Sequence, residues 1–325
     1  MVYPQLNLRD QSSHLLWTIE FTRTRMSLLN PFRSPRCVPN FLYAFMRSGA
    51  KVLACLLICS LLTGCLWSAK NQTAGLPAQY RVKTGQLLLL SDFKLKESHP
   101  LVDELQMLRA EVNETLELPY QKTPITVYLF EDEATYQKYL AKHHPELPHR
   151  RAYFVQQGTE FAVYTFWGEQ IQEDLMHEYT HGLLHSNLHG LPLWLDEGLA
   201  EYFEVDRKTE GRLHPQYTHQ LNRQIAEGWQ PDIKRLEQIT EFSDLKLADY
   251  RESWGWVHFM LHDSPESKQV LLDYLHGFQT ENQKWSPSLP LSDSLAKMNP
   301  AYKERLQKYL AVLPDEYGEE QHAAR

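Results

Sequence analysis

The sequence predicts an α+β protein in which a small mixed sheet with its helices precedes a mainly helical C-terminal part. Two observations lead to this prediction. Short apolar runs bounded by turn residues, such as QLLLLSD and ITVYLF, are typical of buried strands, and they alternate with helical segments in the first half of the chain. Beyond Val205, the segments are helical in character.

The elements can be placed in order along the chain. A first strand at 86–92 is followed by a helix whose apolar residues recur at three- and four-residue steps, the period of a helix that faces a sheet. Residues 125–130 form the next strand, a helix through Tyr136 follows, and two β-rich runs flanking Gly158 indicate a hairpin. Later helices are predicted around 215–227, 248–262, 268–276 and 301–312.

The segment EDLMHEYTHGLLH, Glu173 to His185, carries the main chemical signal. His177 and His181 lie four residues apart, so on a helix their imidazoles share one face and can bind a single ion. Glu178, beside the first histidine, would point at the open side of that ion. This is the HExxH arrangement of zinc peptidases.

A catalytic zinc normally has three protein ligands and leaves its fourth position to water, so a third ligand is required. The segment LPLWLDEGLAEYFE, 191–204, offers Glu197 and Glu201 on a second helix. The 16 residues from His181 to Glu197 allow the first helix to end near Gly190 and the chain to return a carboxylate to the metal.

The following histidines, His185 and His189, are not predicted to be ligands. A metzincin motif, HExxHxxGxxH, would need glycine and histidine where this chain has Leu184 and Asn187. His185 and His189 are therefore expected to be loop residues or groups that support the ligands.

HEYTH followed by WLDEGLAEY resembles the gluzincin metallopeptidases, and in particular the peptidase-MA-like domains of bacterial lipoproteins. The resemblance covers roughly 80–259 and includes RRAYF at 150–154. It implies that Glu197 is the third ligand, that Glu201 is a carboxylate orienting a metal-bound histidine, and that Glu178 is the general base. One Zn²⁺ per chain is the expected cofactor.

The same resemblance implies a zincin-like catalytic lobe at 80–206 and a helical lobe at 207–325, with a substrate cleft between them. The expected activity is hydrolysis of peptide bonds by a zinc-activated water with Glu178 as base. In zincins the edge strand nearest the metal pairs with an extended substrate. Phe161–Phe166 is the candidate for that strand, and an ordinary interior strand is the alternative.

The residue that stabilises the oxyanion is left open by the sequence. Tyr250 leads because related lipoproteins carry a tyrosine in a similar Tyr-x-x-Ser-Trp context, although a helix residue that faces the core would give the same pattern. Tyr217 and His219 are weaker candidates. Arg251 and Ser253 are open as substrate contacts.

Residues 46–64 are typical of a signal peptide, because positive charges at Arg47 and Lys51 precede an apolar run that ends at Leu62. That run is shorter than the ~20 residues of a membrane-spanning helix. The closing LTGC resembles the bacterial lipobox, which predicts a lipid anchor at Cys65. The protein is then expected in the bacterial envelope, at the outer membrane and facing the periplasm.

Two flanking segments complete the expected organisation. Residues 1–45 are expected to be an over-extended or disordered leader, and 65–79 a lipidated tether. The other three cysteines precede Cys65, so the mature chain can have no internal disulfide and no thiol nucleophile.

Composition narrows the partners and leaves two alternatives. The net charge of -8 argues against nucleic acid, so the expected partners are a peptide or protein substrate and, through Cys65, a lipid bilayer. One alternative is a zinc amidase that acts on peptidoglycan. The other is a non-catalytic envelope lipoprotein that keeps a zincin fold for binding or assembly.

Overall fold

The computed structural model describes residues 75–145, 147–279 and 289–315. The expected leader at 1–45, the signal peptide at 46–64 and the lipidation site Cys65 lie outside the described residues. Within the described ranges, no helix is long and apolar enough to span a bilayer.

Five strands and ten α-helices form the described part, which confirms the α+β class. The strands are β1 (Tyr80–Thr84), β2 (Leu87–Ser91), β3 (Ile125–Phe130), β4 (Ala152–Gln157) and β5 (Glu160–Phe166). The helices are α1 (Pro100–Thr115), α2 (Glu133–His143), α3 (Ile171–Asn187), α4 (Leu193–Glu204), α5 (Pro215–Ala226), α6 (Ile233–Leu236), α7 (Leu247–His262), α8 (Pro265–His276), α9 (Leu291–Met298) and α10 (Tyr302–Ala311).

Local sequence explains where several of these helices begin. Proline occupies the first turn of α1, α5 and α8, where its missing N–H costs nothing and its fixed φ suits the helix. Asp132 caps α2 by accepting a hydrogen bond from the Thr135 amide at 2.8 Å. The capped helix is thereby positioned directly after β3.

The sheet is mixed and has the strand order β1-β2-β3-β5-β4. β2, β3 and β5 run parallel, while β1 and β4 are antiparallel to their neighbours. The expectation that Phe161–Phe166 forms the edge was wrong, because β5 pairs with β3 on one side and β4 on the other. The tight turn at Gly158, with φ of 60°, places β4 antiparallel to β5 on its remaining side and makes β4 an edge strand of the sheet.

The two faces of the sheet are covered by different helices. Alternate side chains of β4 belong to different apolar clusters: Phe154 to the main core, and Tyr153 and Val155 to a smaller cluster with α2. On the main-core face, α3 lies close to β3, since a Cβ at Gly182 would be 2.8 Å from the Ile125 side chain. The helix with the HEYTH segment is thus held against the sheet.

The main core continues from the sheet into the helical part. It includes Val127 of β3, Leu199 of α4 and Trp254 of α7. α4 lies between α3 and α7, and a Cβ at Gly198 would be only 2.8 Å from the Ser253 carbonyl oxygen. On its other side α4 packs against α3, and this contact brings the carboxylates of α4 to the histidines of α3.

Candidate metal centre

Two helices bring the three predicted ligands together. The Nε2 atoms of His177 and His181 are 3.1 Å apart, and Oε2 of Glu197 lies 3.6 Å from the first and 3.8 Å from the second. All three residues have 0% solvent exposure. Ligands at 2.0–2.1 Å from a tetrahedral zinc would be separated by about 3.4 Å. The spacing therefore fits one divalent ion.

The partners on the Nδ1 side of each imidazole show which nitrogen would bind the ion. His177 Nδ1 lies 2.7 Å from Glu204 Oε2, and His181 Nδ1 lies 3.1 Å from Asp196 Oδ1. A carboxylate beside Nδ1 accepts the Nδ1–H, so both Nε2 atoms present lone pairs. Two lone pairs at 3.1 Å repel each other unless a cation lies between them. Burial holds the pKa of His177 well below its ordinary value and keeps that ring neutral.

Glu197 contributes a carboxylate that lacks any other partner. Neither of its oxygens has a hydrogen-bond partner among the described residues. Burial, together with the nearby Asp196, Glu201 and Glu178, raises its pKa well above the ordinary value. A buried carboxylate without compensation is strongly unfavourable, and a bound cation would supply that compensation.

The Glu178 carboxylate lies beside the three predicted ligands and is not one of them. It is fully buried, and neither oxygen makes a hydrogen bond of good geometry within the described ranges. The backbone of Phe154, on the edge strand β4, lies close enough to lower its pKa, but burial dominates and raises that pKa well above the ordinary value. Burial therefore makes this carboxylate a stronger proton acceptor than an exposed glutamate.

The carboxylates that orient the histidines include two that sequence reasoning missed. Glu204 bonds directly to His177, and Asp196 to His181. Glu201, which was expected in this role, is buried beside Glu204 and Tyr217. Glu204 follows Glu197 by seven residues, or about two helical turns, so its place on the same face of α4 was a usable signal. Asp196 had no comparable signal. It is adjacent to Glu197 in the sequence, and adjacent helix residues do not lie on the same face.

His185 extends the group towards the edge strand. It lies within α3, and its Nε2 is 2.8 Å from Asp196 Oδ2 while its Nδ1 is 3.1 Å from Gln156 Oε1. Burial alone would raise the pKa of Asp196, but His185 and His181 outweigh it and hold that pKa below the ordinary value. Asp196 is thus an ionised bridge between the two rings. His189 follows α3, and its amide donates to the Phe278 carbonyl at 2.8 Å.

Among the candidates for oxyanion stabilisation, Tyr250 is the one near the ligands. It is buried on α7, and burial followed by the charge of Glu197 raises its pKa far above the ordinary value, so its hydroxyl stays protonated. Tyr217 faces Glu201 and Glu204, behind the Nδ1 side of His177.

The remaining candidates have other neighbours. His219 Nδ1 lies 3.1 Å from the Asp315 carboxylate. Arg251 donates a hydrogen bond to Gln220 through one guanidinium nitrogen. Ser253 packs against Gly198 of α4 and is fully buried. None of these contacts places the three side chains at the metal ligands.

No protein-family model matches the sequence. A search of curated proteins found no match either.

Proposed function

We propose that the protein is a zinc-dependent metallopeptidase of the gluzincin type. The observation that carries the proposal is the convergence of two histidine lone pairs and an unpartnered Glu197 carboxylate beside a second unpartnered carboxylate, Glu178. Zinc in such a site lowers the pKa of a bound water and polarises a carbonyl group.

Glu178 is what favours catalysis over a purely structural ion. Structural zinc sites are normally closed by four protein ligands. Here the ligand set consists of His177, His181 and Glu197, and Glu178 adds an acid that coordination does not require. In the proposed reaction, Glu178 accepts a proton from the attacking water and later returns it to the leaving amine. Its raised pKa suits both transfers.

The edge strand β4 supports a peptide as substrate. The Phe154 backbone lies close to Glu178. This proximity indicates that the Phe154 N–H points away from β5 and towards the candidate metal centre. Backbone groups alternate in direction along an antiparallel strand, so Ala152 and Gln156 would face the same way. An extended peptide that pairs with β4 would then pass beside Glu178.

The expected location completes the proposal. The lipobox-like sequence supports a tether through Cys65 to the bacterial outer membrane. The substrate would then be a peptide or protein in the envelope. The residues that carry this part of the proposal precede the described ranges, so it rests on sequence alone.

The test is hydrolysis by the purified, zinc-loaded protein. Denatured casein and purified peptidoglycan would be incubated separately with the unmodified protein and with Glu178→Gln, and new amino groups would be measured. Cleavage of casein by the unmodified protein but not by the variant supports the peptidase. Release from peptidoglycan alone would favour an amidase, and no release from either substrate would favour the binding protein.

A further inference from the structure

Arg150 is a half-buried cation near the candidate metal centre, and two of its guanidinium nitrogens have no hydrogen-bond partner among the described residues. It lies two residues before β4, and its carbonyl accepts a hydrogen bond from Gln137 Nε2 at 3.2 Å. Its guanidinium lies over the Tyr153 ring, with Cζ 5.9 Å from the centroid. Nε and Nη1 are buried and have no hydrogen-bond partner within the described residues.

The adjacent Arg151 differs from Arg150, because its charge is paired with acidic side chains of the protein. Its guanidinium lies 2.7 Å from Asp174 and 3.2 Å from Glu173, both in the first turn of α3. Asp174 and Glu173 thus neutralise Arg151, whereas no described acid forms an ion pair with Arg150. Two consecutive arginines therefore have opposite environments.

The charge of Arg150 acts on the reacting side of the centre. The segment that carries Arg150 lies along α3: the Arg151 guanidinium is 2.7 Å from Asp174, three residues before His177, and the Phe154 ring is 6.2 Å from the His181 ring. Burial lowers the pKa of Arg150, while the nearby Glu178 and Glu197 raise it. Glu178 is the proposed base and Glu197 the proposed third ligand, so the guanidinium is close to where a substrate carbonyl would react. A guanidinium stays charged in proteins. Two buried donors without an acceptor are unfavourable, and a substrate oxygen would supply that acceptor.

We propose that Arg150 is a catalytic residue whose guanidinium donates a hydrogen bond to the oxygen of the scissile carbonyl as negative charge develops there. This inference rests on the proposed peptidase function. Tyr250 is also near, but its hydroxyl is neutral and is not among the unpartnered atoms. Preorganised donors aimed at developing charge contribute to catalysis because they need no rearrangement during the reaction.

The hydrolysis needs no proton from Arg150. The water oxygen bonds to the carbonyl carbon, the π electron pair moves onto the carbonyl oxygen, and the water proton moves to Glu178. The electron pair then returns, the C–N bond breaks, and the proton on Glu178 moves to the leaving nitrogen. Arg150 holds the oxygen through both stages and remains protonated.

The test compares Arg150→Gln and Arg150→Lys with the matched controls Arg151→Gln and Arg151→Lys in the zinc-loaded protein. With casein-derived peptides, Arg150→Gln should lower kcat by about 100-fold or more while KM changes by less than about threefold, because the contact forms mainly in the transition state. Arg150→Lys should recover part of kcat. Zinc content should stay the same in all four variants.

Two further readouts separate catalysis from structure. Calorimetric binding of a phosphinic analogue of an alanine tripeptide, whose anionic oxygens mimic the developing charge, should weaken about 100-fold in Arg150→Gln and little in Arg151→Gln. Thermal unfolding should be lowered in Arg151→Gln, which leaves Asp174 unpaired, and unchanged or raised in Arg150→Gln.

Four outcomes would overturn the inference. Unchanged kcat and unchanged phosphinate binding in Arg150→Gln would remove the arginine from catalysis. A rise in KM alone would assign it to ground-state recognition of an anionic group, and loss of zinc would make it structural. An unmodified protein that neither hydrolyses peptides nor binds the phosphinate would overturn the peptidase proposal itself, and this inference with it.

Discussion

One histidine pair on α3 and another on α7 have the same four-residue spacing, and they differ in almost every other respect. His177 and His181 lie on α3 with ring centroids 4.8 Å apart and planes inclined at 73°. His258 and His262 lie on α7 with centroids 4.5 Å apart and planes inclined at 23°. Spacing alone therefore makes two rings neighbours on a helix without making them a metal site.

The partners of the rings make the difference. In the α7 pair, His258 is bonded to the Gly211 carbonyl at 2.9 Å and to the Tyr309 hydroxyl at 2.7 Å, while His262 Nε2 is 2.9 Å from the Tyr202 hydroxyl. Hydroxyl and carbonyl groups satisfy these nitrogens. In the α3 pair, carboxylates occupy the Nδ1 side and leave the Nε2 atoms facing each other. Among the described residues, the groups suited to a metal include the α3 histidines and not those of α7.

The largest effect should come from Glu178→Gln, which removes the base but none of the ligands. Turnover should fall by about 10²- to 10⁴-fold while bound zinc is retained, as measured by peptide hydrolysis and elemental analysis. Glu169→Gln, at an exposed position just before α3, is the control and should behave as the unmodified protein. Full activity in Glu178→Gln would exclude the role of base.

The next effect concerns the third ligand. Glu197→Ala should lose zinc in competition with a chelator, because the two histidines alone form an incomplete site. Glu201→Ala should retain zinc, since its carboxylate lies beside Glu204 and Tyr217. Loss of zinc from Glu201→Ala but not from Glu197→Ala would reverse the assignment of ligand and supporting residue.

A smaller effect is expected at the hydrogen bond behind His177. Glu204→Gln weakens the acceptor for Nδ1–H, and loss of such support typically costs 10- to 100-fold in metal affinity. Tyr309→Phe makes the corresponding change behind His258 and should leave zinc affinity unaltered. Equal zinc affinity in the unmodified protein and Glu204→Gln would show that the contact at 2.7 Å does not tune the site.

The smallest effect is a pH dependence from the α7 pair. Burial, followed by the charge of His262, lowers the pKa of His258 to about 3. Because the folded-state pKa lies below that of the unfolded chain, the unfolded state takes up the proton first. Stability is thus unaffected above the ordinary histidine pKa and falls as the pH drops towards 3. By pH 5 the loss from this residue should be roughly 2 kcal/mol.

Denaturant unfolding at pH 7.5 and pH 5 would measure this contribution. His258→Gln has no ring to protonate, so it should lose less stability than the unmodified protein between the two pH values. The variant is expected to be less stable at pH 7.5, since Tyr309 and Gly211 lose their partner. An equal loss in both proteins would contradict the burial of a neutral His258.

The contrast also shows what the sequence could predict. β3 was predicted at 125–130 and the structure forms it there, because ITVYLF is apolar and bounded by turns. HEYTH identified a helix with two histidines on one face. β1 was missed because only Val82 of that strand is buried, which leaves no alternating pattern.

What could not be predicted depends on which faces meet in three dimensions. β5 was considered for the edge because its sequence does not reveal that β3 and β4 occupy both of its sides. Glu201 and Glu204 both lie on α4, and their different neighbours follow from the packing of that helix against α3. Arg150 and Arg151 are identical in type, so their different partners become visible only in the fold.

We expect the α3 pair to bind metal and the α7 pair not to bind it, and metal content measures this difference. The purified protein, His177→Ala and His258→Gln would be supplied with zinc, desalted and assayed by elemental analysis. We expect one zinc per chain in the unmodified protein and in His258→Gln, and none in His177→Ala. An unmodified protein that holds no zinc, or a His177→Ala variant that retains it, would show that the α3 pair is not the metal site.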